Sequence, residues 1–346
     1  MSDIDYSQRS FSYYPTNAII TAKCIDGVWT QPELSNSFEL SLHCFAGVFH
    51  YAPSCFEGAK AYRGVDGKVR LFRPEENARR MADSAKYLDM PCPSEEMFID
   101  MCIRCIQANW EHIPPYNSGA SLYLRPVLFG INPGLGIKSS KDVMFAVMSS
   151  AVGTYSGAKS LSTGTAVLSR NYDRAATYGS GGHKLGANYA QSLHAYNVAH
   201  NAGYRELLFL DSATHTHIEE FGSSNFFAIR DNTYITPNSP SVLPSITNKS
   251  LRTVAKEFGL KVEQRMVMVE ELSSFEEVNS CGTAVVITPM SRIDDKETLE
   301  GPVVTRSFLY GEECGPISLK LYNRIVGIQN GIEEDTYNWC MIVNEK

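Results

Sequence analysis

Lys184 stands in Gly179-Ser180-Gly181-Gly182-His183-Lys184-Leu185-Gly186-Ala187-Asn188-Tyr189, a glycine-dense stretch that turns directly into an amphipathic helical pattern. A surface lysine normally keeps its ammonium in water and lays its stem over apolar neighbours. Small residues on both sides instead let backbone or a flat ligand come close. An amine presented this way can do covalent chemistry with a carbonyl compound. A nucleotide loop is the rival use of such glycines, and it fails here. The triphosphate pattern needs Gly-Lys-Ser/Thr, whereas His183 precedes Lys184 and Leu185 follows it. A dinucleotide fingerprint, Gly-x-Gly-x-x-Gly ahead of a helix with an acid further on, is missing as well.

Three other segments bear on that chemistry. In His217-Ile218-Glu219-Glu220-Phe221-Gly222-Ser223-Ser224-Asn225-Phe226, two successive carboxylates enter an apolar strand, and strand alternation sends one inward. On the residues alone Glu219 and Glu220 compete equally. Leu243-Pro244-Ser245-Ile246-Thr247-Asn248-Lys249-Ser250-Leu251 is a loop running into a helix, whose open N–H groups and dipole suit an anion. Taken alone it reads as ordinary helix capping. Ser280-Cys281-Gly282-Thr283-Ala284 is a turn of small residues before a strand, able to offer backbone N–H groups to a phosphate or carboxylate, and alone it is just a turn. A reactive lysine, a buried acid and an anion cup are what pyridoxal phosphate demands, the acid for its ring nitrogen and the cup for its phosphate.

The elements that must position these residues follow from pattern. Residues 36 to 73 alternate apolar and polar positions, as in SFELSLHCFAGVFHYAP and KAYRGVDGKVRLFRP, with Val65-Asp66-Gly67 as a hairpin turn, and predict an antiparallel sheet. Pro74 opens a helix with acids in its first turn and Met81, Ala82, Ala85 and Leu88 on one stripe; a second helix follows Ser94. Strands over Ala120–Pro126 and Val143–Met148 complete a first domain. The Ser/Gly/Thr-rich SSAVGTYSGAKSLSTGT reads as an interdomain connection. Beyond it come a helix from about Asn188 to His200, strands at ELLFLD and HIEEFGSSNFFAIR, a helix at NKSLRTVAKEF, a strand at KVEQRMVM, a helix at VEELSSFEEV, a strand at TAVVITPM and a last helix at SLKLYNRIVGIQNGI.

Composition sets the surroundings. The 346 residues, 43% of them hydrophobic, suffice for one large or two ordinary domains. A net charge of -7 with intermixed signs gives no broad positive field for nucleic acid, so small substrates in local basic pockets are expected. The N-terminal residues lack a basic segment followed by an apolar core, and no run approaches the length of a membrane span, so the expected location is cytoplasmic. Nine cysteines are too sparse for a disulfide scaffold and are expected as thiols. Cys102 and Cys105 share one helix face, and without a second pair no metal site is expected.

Six segments, in this order, resemble the branched-chain amino acid aminotransferases: SCFEGAKAYRG, SLYLRP, HKLGANYAQS, IEEFGSSNFF, PSITNKSL and CGTAVVITP. The resemblance runs from about residue 35 to the C-terminus. It implies an α+β, two-domain fold-type IV pyridoxal phosphate enzyme, similar to D-amino acid aminotransferase in fold, with the cofactor at the domain interface. A smaller N-terminal α/β domain would span 1–150, an interdomain loop 151–165, and a larger cofactor-binding domain with a barrel-like core 166–346.

Carried over residue by residue, the resemblance makes Lys184 the Schiff-base lysine and Glu220 the acid at the ring nitrogen, with Glu219 facing away. Tyr189 would bond the ring phenolate oxygen. Arg80 would grip the phosphate while Arg79 stays solvated; Ile246, Thr247 and Thr283 would complete the cup. The Thr283-Ala284 turn would also hold the substrate α-carboxylate. Tyr51, Phe56 and Tyr123 would wall the side-chain pocket, and Arg125 would meet the distal carboxylate of glutamate, its alternative being a structural salt bridge. The loop Pro133-Gly134-Leu135-Gly136-Ile137 is similar to a segment that caps the neighbouring subunit's pocket through Leu135 and Ile137, which implies a homodimer or larger homo-oligomer.

The implied activity is reversible transfer of the amino group of leucine, isoleucine or valine to 2-oxoglutarate. Its rivals are a D-amino acid aminotransferase or an aminodeoxychorismate lyase of the same fold and, from another class, a non-catalytic pyridoxal-binding protein. Asn248 departs from the arginine that relatives usually carry, Val285–Thr288 lack the paired cysteines of vertebrate enzymes, and residues 1–34 match nothing assigned.

Overall fold

The computed structural model describes residue 6, residues 9–153 and residues 161–346, and the chain divides into two units. One joins the N-terminal stretch to His183–Ala187 and Gly327–Lys346; the other joins the stretch ending at Gly182 to Asn188–Val326. Two short pieces of the range expected for the second domain thus belong to the first unit. Of the expected interdomain connection, residues 154–160 lie outside the described residues; the residues up to Val152 belong to a strand, and Gly164 begins another.

The first unit is built on a nine-stranded sheet. Its order is Cys340–Val343, Val69–Phe72, Ala59–Arg63, Ser121–Gly130, Val143–Val152, Ile19–Ile25 and Val28–Trp29, with Glu33–Ser35 and Ser54–Phe56 paired to Ile19–Ile25 and Ser121–Gly130. Every pairing is antiparallel. Helices Pro74–Tyr87 and Glu95–Ala108 bury Met81, Ala85, Phe98, Met101 and Ile106 against Leu122, Leu124, Phe145 and Val147 of the sheet, each large side chain stabilising by roughly 1.5–3 kcal/mol. Ser94 caps the second helix, its hydroxyl accepting from Met97 N at 3.2 Å. Cys102 and Cys105 lie in that core, and all nine cysteines are free thiols.

Two expectations for this unit need correction. Residues 38–45 carry no strand, and Gly47–Tyr51 is a short helix. The alternation of Phe38, Leu40 and Leu42 buries none of them fully, so it has no sheet face to serve. On the first helix Ala82 is exposed and Ala78 takes its place in the apolar stripe. Beside that stripe runs a second buried one, Asn77, Arg80 and Ser84, polar and at helical spacing. A helix that buries polar residues must give them partners, and those partners are site residues.

The second unit closes a barrel. Ile218–Phe221, Glu206–Leu210, Gly164–Ser169, Val286–Lys296, Glu277–Gly282 and Asn225–Arg230 pair in turn, and the ring is shut where Glu220 pairs with Asn225. Leu168, Leu208, Leu210, Phe221, Phe226, Met290 and Ile293 contribute to its core. Closure leaves those six strands no open edge. Thr233–Pro237 and Lys261–Arg265 extend the sheet from Asn225–Arg230, and Val304–Leu309 pairs with Val286–Lys296.

HIEEFGSSNFFAIR, expected as one strand, is a hairpin whose turn is Gly222-Ser223-Ser224. VEELSSFEEV, expected as a helix, is a 3-10 turn over Val269–Ser274 followed by the strand Glu277–Gly282. Its buried positions Val269, Leu272 and Phe275 repeat every three residues, the period of a 3-10 turn rather than an α-helix.

Candidate active site

Within the first unit, residues 183–187 lie against the sheet like a short added strand. Lys184 O accepts from Phe56 N at 3.1 Å, and Leu185 bridges Cys55. Lys184 N donates to Ser84 Oγ at 2.9 Å, the last residue of the polar stripe. The half-buried side chain reaches over Phe56, its Nζ 4.7 Å from the ring centroid. His183 stacks on Tyr87 at 4.3 Å, and burial lowers its imidazole pKa. The lysine backbone is therefore held on both sides.

The glycines before it serve fit more than flexibility. A Cβ on Gly181 would lie 2.3 Å from Ser241 O and 2.7 Å from Arg174 Nη2, and one on Gly182 would lie 2.6 Å from Pro240 O. Both positions thread past the loop 239–242 in the second unit, where no side chain fits.

Phe56 and Glu57 lead to two arginines. Arg80 is clamped by Glu57 through both carboxylate oxygens, Nε to Oε1 at 2.8 Å and Nη2 to Oε2 at 2.7 Å. Asn77 Nδ2 adds a bond of 2.7 Å to Oε2, and Glu57 is fully buried. Arg79 stays exposed and pairs with Glu76 and Glu95. The guanidinium of Arg125 lies instead 4.8 Å from the centre of Phe56 and 5.3 Å from that of Tyr123, and donates to the Tyr123 hydroxyl at 3.3 Å. Its Nε is buried and has no hydrogen-bond partner, and among the described residues no carboxylate forms an ion pair with it. Among the described residues a structural salt bridge therefore has no carboxylate to supply it. A Cβ on Gly58 would fall 2.1 Å from the Tyr123 hydroxyl, so this glycine makes room for the tyrosine.

Tyr51 is about half exposed and donates to Leu135 O at 2.5 Å; Leu135 and Ile137 project from the surface, 74% and 87% exposed. Phe11 meets the edge of Tyr123 at 4.8 Å. Nothing in the unassigned N-terminal sequence pointed to it, because an aromatic residue in a segment without periodicity carries no signal of its own.

In the second unit Glu219 and Glu220 are both buried, Glu219 against Ser239 and Ser241 and Glu220 against Leu243 and Arg174. Glu220 accepts from Asn225 Nδ2 at 2.6 Å and Leu243 N at 3.3 Å, and pairs with Arg174 at 2.8 Å. Glu219 accepts from the hydroxyls of Ser239 and Ser241, and burial raises its carboxyl pKa. Asn248 is buried in an amide network, bonding Asn225 Oδ1 at 3.1 Å and Thr236 Oγ1 at 2.9 Å and accepting from Tyr234 at 3.1 Å. An arginine would not fit that network, which accounts for the departure seen in sequence.

Ile246 and Thr247 are the first two residues of helix Ile246–Glu257, so their N–H groups have no acceptor within the helix. Ser245 caps Asn248 N at 3.2 Å. The Thr283 turn links paired residues Gly282 and Val286, with Val286 at φ 61 and Ile287 N bonding Val285 O at 2.7 Å. A β-branched residue in the left-handed region is costly, by about 1–3 kcal/mol, and marks a turn held by its surroundings. Near it Ser224 Oγ is buried without a hydrogen-bond partner. Tyr189 is half-buried in helix Gly186–Asn201.

Residues 54–293 match the family of class-IV aminotransferases, more than half of the chain. The chain belongs to that family, whose members work with pyridoxal phosphate. It is 42% identical over 345 residues to a branched-chain-amino-acid aminotransferase of Helicobacter pylori, covering 99% of each chain, and 39% identical to that of Haemophilus influenzae, covering 99% and 100%. The branched-chain amino acid aminotransferase from Escherichia coli matches in structure with a TM-score of 0.74 at 27% identity, covering 96% of this chain and 100% of that one.

The residues present suit the cofactor. A buried carboxylate, Glu220, meets the need of a protonated ring nitrogen, while the Ile246 and Thr247 amides and the unpartnered Ser224 hydroxyl are donors for an anion. Among the described residues no group of three or more His, Cys, Asp or Glu could hold a metal, and no helix is long and apolar enough to cross a membrane.

Proposed function

We propose that the chain transfers the amino group of leucine, isoleucine or valine to 2-oxoglutarate, reversibly. One observation carries the substrate class: Arg125 is a cation set against two aromatic rings, with a buried Nε lacking a hydrogen-bond partner and no carboxylate paired with it among the described residues. A pocket serving both half-reactions must take an aliphatic chain and, in turn, the acidic chain of glutamate. Phe56 and Tyr123 offer apolar faces to the first, and Arg125 offers a planar donor fork to the second. The full-length likeness to branched-chain enzymes supports the same substrates.

Lys184 carries the covalent bond to the cofactor. Pyridoxal phosphate, when bound, supplies a carbonyl to receive the amino group and an electron sink for the electrons left at the substrate Cα. Lys184 Nζ would serve as the base that takes the proton from the substrate Cα and delivers it to the carbonyl carbon of the cofactor. Glu220 would keep a proton on the ring nitrogen, and Tyr189 would bond the phenolate oxygen. Arg80 would offer its donors to the phosphate, as would Thr283 and the Ile246 and Thr247 amides, and the Thr283-Ala284 turn would hold the substrate α-carboxylate. Fixing the Lys184 backbone through Ser84 and Phe56 limits the arc through which the amine swings.

We also place the protein in the cytoplasm as a homodimer. Nine free thiols suit a reducing compartment. Exposed Phe49, Leu135 and Ile137 form apolar surface that a second copy would cover. The substrate is tested by offering leucine, valine and D-alanine with 2-oxoglutarate, and aminodeoxychorismate alone. Glutamate formed from leucine and valine is expected. Glutamate from D-alanine but not leucine, or pyruvate from aminodeoxychorismate, would assign the chain to a rival activity.

A further inference from the structure

Arg174 lies in the loop after strand Gly164–Ser169, and neither composition nor motif drew attention to it. It is 7% exposed, as deep as the carboxylate it meets. Its Nη2 is 2.8 Å from Glu220 Oε1 and 3.1 Å from Gly181 O, and also bonds Ser241 O. One guanidinium thus binds the acid, the glycine segment three residues before Lys184, and the loop whose Ser241 hydroxyl holds Glu219. Glycine at 181 is required for this arrangement, since a Cβ there would press on Arg174 Nη2 and Ser241 O together. A buried arginine is costly unless its charge is matched, and Glu220 is the carboxylate within ion-pair distance of it.

We propose that Arg174 is the positioning residue for Glu220: it keeps that carboxylate ionised and aimed, and fixes the chain leading to Lys184 to the same point. Asn225 and Leu243 N hold Glu220 from the other sides but carry no charge, so neither favours the ionised form as a cation does. The inference deepens the function proposed above and rests on Glu220 serving the ring nitrogen.

A double-mutant cycle on the holoenzyme tests it, reading kcat, the leucine KM and the absorbance of the bound cofactor in Glu220→Gln, Arg174→Met and the double variant. Glu220→Gln is expected to lower kcat about 100-fold and to shift the cofactor band. Arg174→Met should shift the band the same way and lower kcat about 10-fold, with the leucine KM within about threefold. In the Glu220→Gln background the Arg174 change should cost less than about threefold more. Full multiplication of the two losses, or an Arg174→Met enzyme with native kcat and band, overturns the proposal while leaving Glu220 in place. An unchanged Glu220→Gln enzyme overturns the assignment of Glu220 itself, and the proposal with it. If Arg174→Met does not fold, Arg174→Lys, which keeps the charge but not the planar fork, completes the cycle: an intermediate loss that vanishes beside Glu220→Gln is expected, and a loss that persists there contradicts the proposal.

Discussion

Two arginines of the first unit answer to consecutive residues, Glu57 for Arg80 and Phe56 for Arg125, and they are held in opposite ways. Arg80 has its charge matched by a fully buried carboxylate through two parallel bonds. Arg125 has aromatic faces and one phenol, and among the described residues no carboxylate pairs with it. A matched arginine is fixed in place by its carboxylate; one left without a carboxylate beside aromatic rings keeps its capacity for one that arrives and leaves. The same residue type is therefore anchored at one corner and open at the next.

The contrast can be broken most forcefully at Glu57. Glu57→Gln strands the Arg80 charge in the core and should destabilise the protein by about 3–5 kcal/mol in denaturant unfolding. Arg125→Met, which removes a charge with no described carboxylate against it, should cost less than about 1.5 kcal/mol in the same measurement. Equal losses would mean that the two arginines are not held differently. Arg125→Gln then probes recognition: the KM for 2-oxoglutarate should rise about 10- to 100-fold, as expected for a lost charge-assisted contact, and the KM for leucine less than threefold.

Glu206 sharpens the comparison from the second unit, as a buried carboxylate with no cation bonded to it. Burial pushes its carboxyl up to about 7, with only a partial offset from Arg205, and its Oε2 has no partner. An acid raised on folding is protonated in the native state while the unfolded chain has already released the proton. Its contribution to stability is therefore whole below the ordinary glutamate range and is lost as pH rises toward about 7. Glu206→Gln should abolish that slope and be the more stable protein at pH 8, by roughly 1–3 kcal/mol. An identical pH profile in the two proteins would show that Glu206 is not buried uncharged.

The sequence disclosed the parts of the site that recur as short motifs and hid those made by distant contacts. Lys184, Glu220 and the Ile246-Thr247 helix start were visible because each sits in a local pattern, although choosing Glu220 over Glu219 took the family resemblance. Their partners were not. Arg174 lies in an unpatterned loop, and it meets Glu220 through the strand order that sets Gly164–Ser169, Glu206–Leu210 and Ile218–Phe221 side by side. Glu57 was in view within the FEG motif, and the helical spacing of Asn77, Arg80 and Ser84 was a usable signal that a polar face was buried. The fold was misread where period alone had to decide: Phe38, Leu40 and Leu42 alternate without a sheet to face, and Val269, Leu272 and Phe275 repeat at a 3-10 rather than an α period. The pairing of Gly164–Ser169 with Val286–Lys296, which the barrel also needs, joins strands far apart in the chain and leaves no trace in either.

Everything turns on which amine bonds the cofactor, and the structure offers a real competitor. Lys60 is buried, and desolvation lowers its ammonium pKa to about 8, so that more of it is uncharged near neutral pH than of an ordinary lysine. Reductive trapping of the holoenzyme with borohydride, followed by digestion and mass spectrometry, reads the attachment point directly. The pyridoxyl group is expected on the peptide containing Lys184; finding it on Lys60, with Lys184 unmodified, would contradict the account.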